Sequence, residues 1–226
     1  MSRRRGFRAM VPEAVWAELL ALGTPHRFRP RAELVRQGGF GEFLFAVAEG
    51  RIKVLHRNED GEQLLMAIRG PGDLVGELAK TGSAPRSATV LAVDPCRAHR
   101  IAAAEFDLFA SRRGLTGTVL EYSYGKLRES VANRSRLVHS RPAQRIARLL
   151  ADALDLADPR LPERSRLPFT QQELATELGL SRSKVAAVIA GLRAAGVLGA
   201  GPRLRVSDPV RLRACADRSG PDQRDL

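Results

Sequence analysis

Thiols are scarce in this chain of 226 residues: Cys96 and Cys215 are its only cysteines, and they lie far apart. Two isolated thiols exclude a thiolate-held iron–sulfur cluster and a cysteine zinc site, and they fit a reducing compartment. The four histidines, His26, His56, His99 and His139, fall at no metal-ligand spacing, so no metal is expected. His56 sits in an expected strand, where a solvated imidazole is the plain reading and a haem ligand the alternative. No apolar run approaches membrane-spanning length, and Arg3-Arg4-Arg5 is not followed by a hydrophobic stretch of signal-peptide length. No membrane association is expected, and the expected location is the cytoplasm. Also absent are a nucleophile–base pair, a metal cluster and a phosphate-binding helix motif, which argues against an enzyme.

Positive charge, by contrast, is plentiful. The 37 Lys and Arg residues outnumber the 25 Asp and Glu residues, a formal net charge of +12. Such an excess predicts a polyanionic partner, nucleic acid first. A general preference for arginine would spread charge without a site and is the competing reading. Where the charge lies therefore matters more than its sum.

Texture changes along the chain. Val11 to Leu22 read as a short amphipathic helix with Pro12 near its start and Gly23 at its end. From Arg27 to about Ile101, short apolar runs such as Phe43-Leu44-Phe45-Ala46-Val47 alternate with glycine turns. These turns hold Gly38-Gly39, Glu49-Gly50, Asp60-Gly61, Gly70-Pro71-Gly72 and Gly82. Strands at that spacing predict a compact antiparallel roll or barrel, and Asn58-Glu59-Asp60-Gly61 predicts a hairpin.

From Glu105 to about His139 the pattern turns helical. Leu120, Leu127 and Arg134 repeat at seven residues, with Tyr124, Val131 and Val138 between them, an apolar stripe suited to a twin helix. A second seam through Thr116, Leu120, Ser123, Leu127, Ser130 and Leu137 fits as well, and packing on the helix's own domain is the simpler alternative.

After Arg141-Pro142 a helix carries Ile146, Leu149, Leu150, Ala153 and Leu154 on one face, and a charged, proline-broken loop follows. Thr170 with Glu173 three residues on is a capping-box pattern, Gly179 marks a turn, and Ser181 caps the next helix. Two helices over Gln171–Leu178 and Ser181–Ala195 joined so tightly predict a helix-turn-helix. Val185, Val188, Ile189 and Leu192 form the second helix's buried stripe, leaving Arg182, Ser183, Lys184, Ala186 and Ala187 outward. Two short strands, Gly196–Gly199 and Arg203–Val206, would make the unit winged, and the tail after Cys215 is expected to be disordered.

One stretch concentrates ligand chemistry. Gly76-Glu77-Leu78-Ala79, followed by Arg86-Ser87-Ala88, brings backbone amides, a carboxylate, a guanidinium and a hydroxyl into one loop. Amides and Arg86 suit a phosphate, and Glu77 suits a sugar hydroxyl, so a small ribose phosphate is the ligand class implied. A direct Glu77–Arg86 ion pair without ligand is the alternative.

Together these pieces resemble the Crp/Fnr family of bacterial transcription regulators, in family order from about residue 10 to 215. The resemblance rests on Gln37-Gly38, Phe43-Leu44-Phe45 with Glu49-Gly50, Gly70-Pro71-Gly72-Asp73, Gly76-Glu77-Leu78 and Arg86-Ser87-Ala88. Further on it rests on Arg145-Ile146-Ala147, Thr170-Gln171-Gln172-Glu173-Leu174-Ala175 and Gly179-Leu180-Ser181-Arg182. It implies an α+β protein: a cyclic-nucleotide-binding β-roll of jelly-roll type over 10–113, a long dimerisation helix over 114–139 and a winged helix-turn-helix over 140–215. It implies a cyclic nucleotide effector, cyclic AMP first and cyclic GMP second, held by Gly76, Glu77, Leu78, Arg86, Ser87 and Ser130. Glu77 would take the ribose 2′-hydroxyl and Arg86 the cyclic phosphate. Val131, beside Ser130, offers no hydroxyl to the base.

The same resemblance implies double-stranded DNA as partner, bound by a homodimer through Thr170, Gln171, Ser181, Arg182, Ser183, Lys184 and Arg203. Arg182 matches a family arginine that reads guanine, while Ser183 and Ala187 depart from the acidic and basic residues expected there. RNA polymerase is the further partner expected, with the Asp155–Arg166 loop as a candidate contact or simply a solvated loop. The readings kept open are a regulator of the same fold with another effector or none, and a nucleotide-sensing subunit that binds protein.

Overall fold

The computed structural model describes residues 5–79, 85–157 and 164–217, with side chains for all of these except residues 79 and 132–139. The chain forms two compact units, residues 1–62 with 66–132 and residues 63–65 with 133–226.

The first unit opens with a 3-10 turn (Gly6–Ala9) and helix α1 (Glu13–Leu22). Eight strands follow along the chain: β1 (Thr24–Phe28), β2 (Glu33–Val35), β3 (Phe43–Glu49), β4 (Ile52–Arg57), β5 (Gln63–Arg69, of which residues 66–69 belong to this unit), β6 (Leu74–Val75), β7 (Thr89–Ala92) and β8 (Cys96–Ala102). They form two four-stranded sheets, in the orders β1-β8-β3-β6 and β2-β7-β4-β5. The pairings of β1 and β3 with β8, of β3 with β6, and of β2 and β4 with β7 are antiparallel, so the expected α+β roll is found.

Side chains in a strand point alternately to its two faces, and β3 buries both. Leu44 and Ala46 join Phe7, Trp16, Leu19, Ile101 and Phe106 in a core under the helices. Phe45 and Val47 join Val35, Ile52, Val75, Val90 and Ala98 in the core of the roll. Arg51 and Asp94 tie two turns together through paired hydrogen bonds, Nε to Oδ2 at 2.5 Å and Nη2 to Oδ1 at 2.9 Å. The β4–β5 hairpin turns where Asn58-Glu59-Asp60-Gly61 predicts it, Asn58 N donating to the Glu62 carbonyl and Gly61 standing at φ +81°.

The helical stretch after the roll is two helices, α2 (Ala103–Arg112) and α3 (Thr116–His139). Gly114, at φ +66°, ends the first, and Leu115 N returns to the Ala110 carbonyl at 2.8 Å. Val119 and Tyr122 of α3 are buried against its own unit, whereas Leu120, Tyr124, Leu127 and Val131 are exposed by 53 to 63%. That exposed row follows the first of the two expected stripes. The side chains of Arg134, Leu137 and Val138 lie outside the described residues, as do Gly82, residues 158–163 and the tail from 218.

The second unit contains α4 (Pro142–Asp155), α5 (Gln171–Leu178), α6 (Arg182–Ala194) and α7 (Pro209–Asp217). Ile146, Leu149, Leu150, Ala153 and Leu154 are all buried, as the periodicity of α4 requires. Two expectations are corrected. The wing has isolated bridges, Leu198 with Val206 and Arg205 with Arg166, in place of two strands. Gly199, Gly201 and Pro202 allow too few consecutive pairs for a ladder, and Arg193 on α6 instead holds the wing by donating to the Gly199 and Gly201 carbonyls. Helix α7 runs two residues past Cys215, to Asp217, because Leu212 and Ala216, one turn apart, are buried, and the rest of the tail expected to be disordered lies outside the described residues.

No helix among the described residues is long and apolar enough to cross a membrane, and no group of three metal-ligating side chains occurs among them.

Candidate functional site

A cavity of about 350 Å³ opens in the first unit, within the size range of small-molecule sites. Gly76, Glu77, Leu78, Arg86, Ser87 and Ser130 all line it, so the six ligand residues named from the sequence come together in space.

Arg86 is 4% exposed. Its Nε donates to the Phe40 carbonyl at 3.1 Å, Nη1 to Gly76 at 3.2 Å and Nη2 to Phe43 at 2.6 Å. The Gln37-Gly38-Gly39 turn holds it from behind: Arg86 N donates to Gly39 and Gly38 N to Arg86, at 3.0 and 2.9 Å. Gly76 stands at φ +87°, and a Cβ there would meet Arg86 Nη1 at 2.4 Å, so only glycine fits this approach.

A guanidinium has five N–H donors, and three carbonyls leave two of them. Burial, then the nearby Arg100 charge, lower the pKa of Arg86 from its ordinary value, and Glu77 opposes them. Among the described residues no carboxylate pairs with Arg86. A cation so placed is stabilised by an anion that enters the cavity.

Glu77 turns elsewhere. Its Oε1 accepts from Lys126 Nζ at 2.8 Å, and the same ammonium donates to the Leu74 carbonyl. The expected alternative of a Glu77–Arg86 pair is not what forms. Lys126 is reached from α3 through a ladder of contacts one turn apart. Tyr122 donates to Asp73 Oδ1 at 2.9 Å and accepts from Leu74 N at 2.9 Å. Lys126 follows four residues on, and Glu129 and Ser130 come one turn beyond it. Glu129 receives a two-pronged bond from Arg69, at 2.9 and 2.7 Å. Sequence reasoning missed Lys126 and Arg69, although the four-residue spacing of Tyr122, Lys126 and Ser130 marks them as one helix face.

In the second unit, Thr170 Oγ1 accepts from Glu173 N at 3.1 Å and Glu173 Oε2 accepts from Thr170 N at 2.8 Å, a completed capping box. Gly179 takes the left-handed conformation, φ +59° and ψ 43°, and turns the chain within two residues. Ser181 then caps α6 by accepting from Lys184 N at 3.3 Å. Val185, Ile189 and Leu192 are buried and Val188 half-buried, which leaves Arg182, Ser183, Lys184, Ala186 and Ala187 exposed. Thr170 and Arg203 are exposed as well, and Gln171 is half-buried at the start of α5. Among the described residues this is a helix pair with a cationic leading edge, the shape that enters a major groove.

A model of the cyclic nucleotide-binding domain matches residues 25–113, and one of the Crp-like helix-turn-helix domain matches residues 144–215. The chain therefore belongs to the Crp/Fnr family, whose members are transcription regulators and not enzymes. It is a DNA-binding transcription regulator that carries a cyclic-nucleotide-binding domain.

The cAMP-activated global transcriptional regulator Vfr of Pseudomonas aeruginosa is 27% identical over 187 residues, 80% of this chain and 87% of Vfr. A CRP-like cAMP-activated global transcriptional regulator of Mycobacterium tuberculosis is 27% identical over 217 residues, 94% of this chain and 96% of the relative. Among solved structures, the c-di-GMP responsive global regulator CLP of Xanthomonas campestris has a TM-score of 0.69 at 22% identity, over 87% of this chain and all of that one. That last likeness is one of fold.

Proposed function

We propose that the protein is a homodimeric regulator whose grip on a two-fold symmetric operator is set by a cyclic nucleotide in the first unit. The carrying observation is Arg86: a buried guanidinium at a cavity wall, bonded to three carbonyls and to no carboxylate among the described residues. A cyclic phosphate would take its remaining donors, with Ser87 beside it and Gly76 allowing the close approach. Glu77 keeps Oε2 for the ribose 2′-hydroxyl while Lys126 holds Oε1. Leu78 and Ser130 would border the sugar and base. Two relatives named as cAMP-activated support a cyclic nucleotide as the effector class.

Dimerisation through α3 is supported by the exposed row Leu120, Tyr124, Leu127 and Val131. On DNA, Arg182 would read a base edge and Ser183 its neighbour. Thr170, Gln171, Ser181, Lys184 and Arg203 would contact phosphates, which position without specifying. Two α6 helices set about 34 Å apart would meet successive major grooves. RNA polymerase is the partner this activity would address, and the cytoplasm the place.

Gating is a population shift. Moving a 1:99 equilibrium to 99:1 takes about 5.5 kcal/mol, or roughly 2.7 kcal/mol per site in a dimer. A phosphate contact of about 1.5–3 kcal/mol together with a base contact made only in the active state would supply a site's share, since only affinity that differs between the two states shifts them. Operator selection from random duplex DNA, with and without each cyclic nucleotide, tests the proposal. A selected palindrome whose affinity rises with nucleotide is expected; equal affinity in all arms would overturn it.

A further inference from the structure

Besides the phosphate and sugar residues, the cavity is lined by Val54, Met66, Ala67, Arg69 and Ser130, which would form the wall for a base. Along α3, Ser130 stands four residues past Lys126, about 6 Å at 1.5 Å per residue. A base attached to a sugar at Glu77 and Lys126 would lie against this wall. Valine, methionine and alanine suit the faces of a planar ring. The edge of that ring would meet Arg69.

Arg69 is held for such a contact. Its side chain is 12% exposed, and Nη1 and Nη2 both donate to Glu129, which fixes the guanidinium plane. Nη1 also leans toward the Ile68 carbonyl at 3.5 Å. Among the described residues nothing occupies Nε, so the edge formed by Nε and the second Nη2 hydrogen remains open. That edge is a pair of parallel donors and no acceptor.

The two purines present different partners to such an edge. Guanine offers two adjacent acceptors, O6 and N7, whereas adenine offers N7 beside a donating N6 amine. Donors facing an amine lose one bond and meet like partial charges. A bidentate arginine on O6 and N7 is the commonest specific contact made to guanine. The geometry points to Arg69, positioned by Glu129, as the residue that selects guanine over adenine, so that the effector is the cyclic mononucleotide of guanine. This rests on the cyclic-nucleotide reading above. A cavity of about 350 Å³ with one open arginine at the phosphate end suits a mononucleotide.

Calorimetry on the full-length protein with cyclic GMP, cyclic AMP and cyclic di-GMP tests it, on wild type, Arg69→Leu and Arg69→Lys. Lysine keeps the charge and the Glu129 pair but lacks the fork, which guards against a fold-related loss in the leucine variant. Wild type is expected to bind cyclic GMP about 10-fold or more above cyclic AMP, as one bidentate pair provides. Both variants should lose that preference while their affinity for cyclic AMP changes less than threefold (roughly, within the error of one weak contact). Preference for cyclic AMP in wild type, an unchanged ratio in the variants, or tighter binding of cyclic di-GMP would overturn the inference and leave cyclic-nucleotide binding standing. Failure of all three ligands to bind would remove both.

Discussion

Glu77 and Lys126 meet at 2.8 Å across the cavity wall, with 2% and 13% of their side chains exposed. The pair joins the roll to α3 at the position proposed for the sugar. Because it is buried, deleting one partner leaves an uncompensated charge. Lys126→Met should destabilise the protein by about 3–5 kcal/mol, and Glu77→Leu added to it should recover most of that loss. Urea unfolding of the single and double variants decides this. A double variant no more stable than Lys126→Met would mean that the pair is not the coupling element.

Arg86→Ala should lower cyclic nucleotide affinity by about 10- to 100-fold, the worth of one charge-assisted bond of about 1.5–3 kcal/mol. Its far-ultraviolet circular dichroism should match wild type. Calorimetry measures the affinity directly, and an unchanged value would remove Arg86 from the ligand site.

Arg182 is exposed at the first turn of α6. Arg182→Ala should cost about 1–3 kcal/mol of discrimination at one base pair while salt-sensitive binding to random duplex persists. Competition gel shifts with single-base operator variants would show this. Retained preference at every position would mean that the recognition helix lies elsewhere.

Leu127, 58% exposed on the outer row of α3, should tolerate a charge in the folded subunit but not in a dimer seam. Leu127→Glu is expected to sediment as a monomer and to bind a two-half-site operator no better than a single half-site. A dimer of wild-type stability would shift the seam to another face.

Cys96 is buried, and burial, then the charges of Asp94 and Glu49, push its thiol up to about 12. An ordinary thiol ionises near 8.5, so above that pH the unfolded chain has released a proton that the native state retains. The stability from this group is full below the unfolded value and falls as pH rises toward 12. Its share of the slope is at most about 1.4 kcal/mol per pH unit. Between pH 9 and 10.5, Cys96→Ala should lose stability less steeply than wild type in urea titrations (about that difference in slope).

Much of the fold was legible because local rules acted alone. Thr170, Glu173, Gly179 and Ser181 carry their capping and turn chemistry within twelve residues, and the helix pair follows from them. Asn58 to Gly61 likewise declare their hairpin. The wing was less legible, since the Arg193 bonds that hold it cross between elements and have no periodicity to read. Helix α7 has apolar residues that do not all face one way, since Val210 is exposed while Leu212 and Ala216 find a core.

The ligand loop divides in the same way. Gly76, Glu77, Arg86 and Ser87 are neighbours in sequence, so their chemistry was visible as a cluster. Lys126, Glu129 and Ser130 come from α3, some fifty residues away, and only the docking of Tyr122 onto the Asp73 turn brings them to the cavity. Amino-acid order alone determined which groups this protein has for an anion and a duplex, because caps, turns and strand alternation act over a few residues. Tertiary packing decided their pairing: Glu77 with Lys126, Arg69 with Glu129, and Arg86 with carbonyls. Partner choice in a buried site depends on distance and desolvation, and both exist only once the roll has closed against its helix.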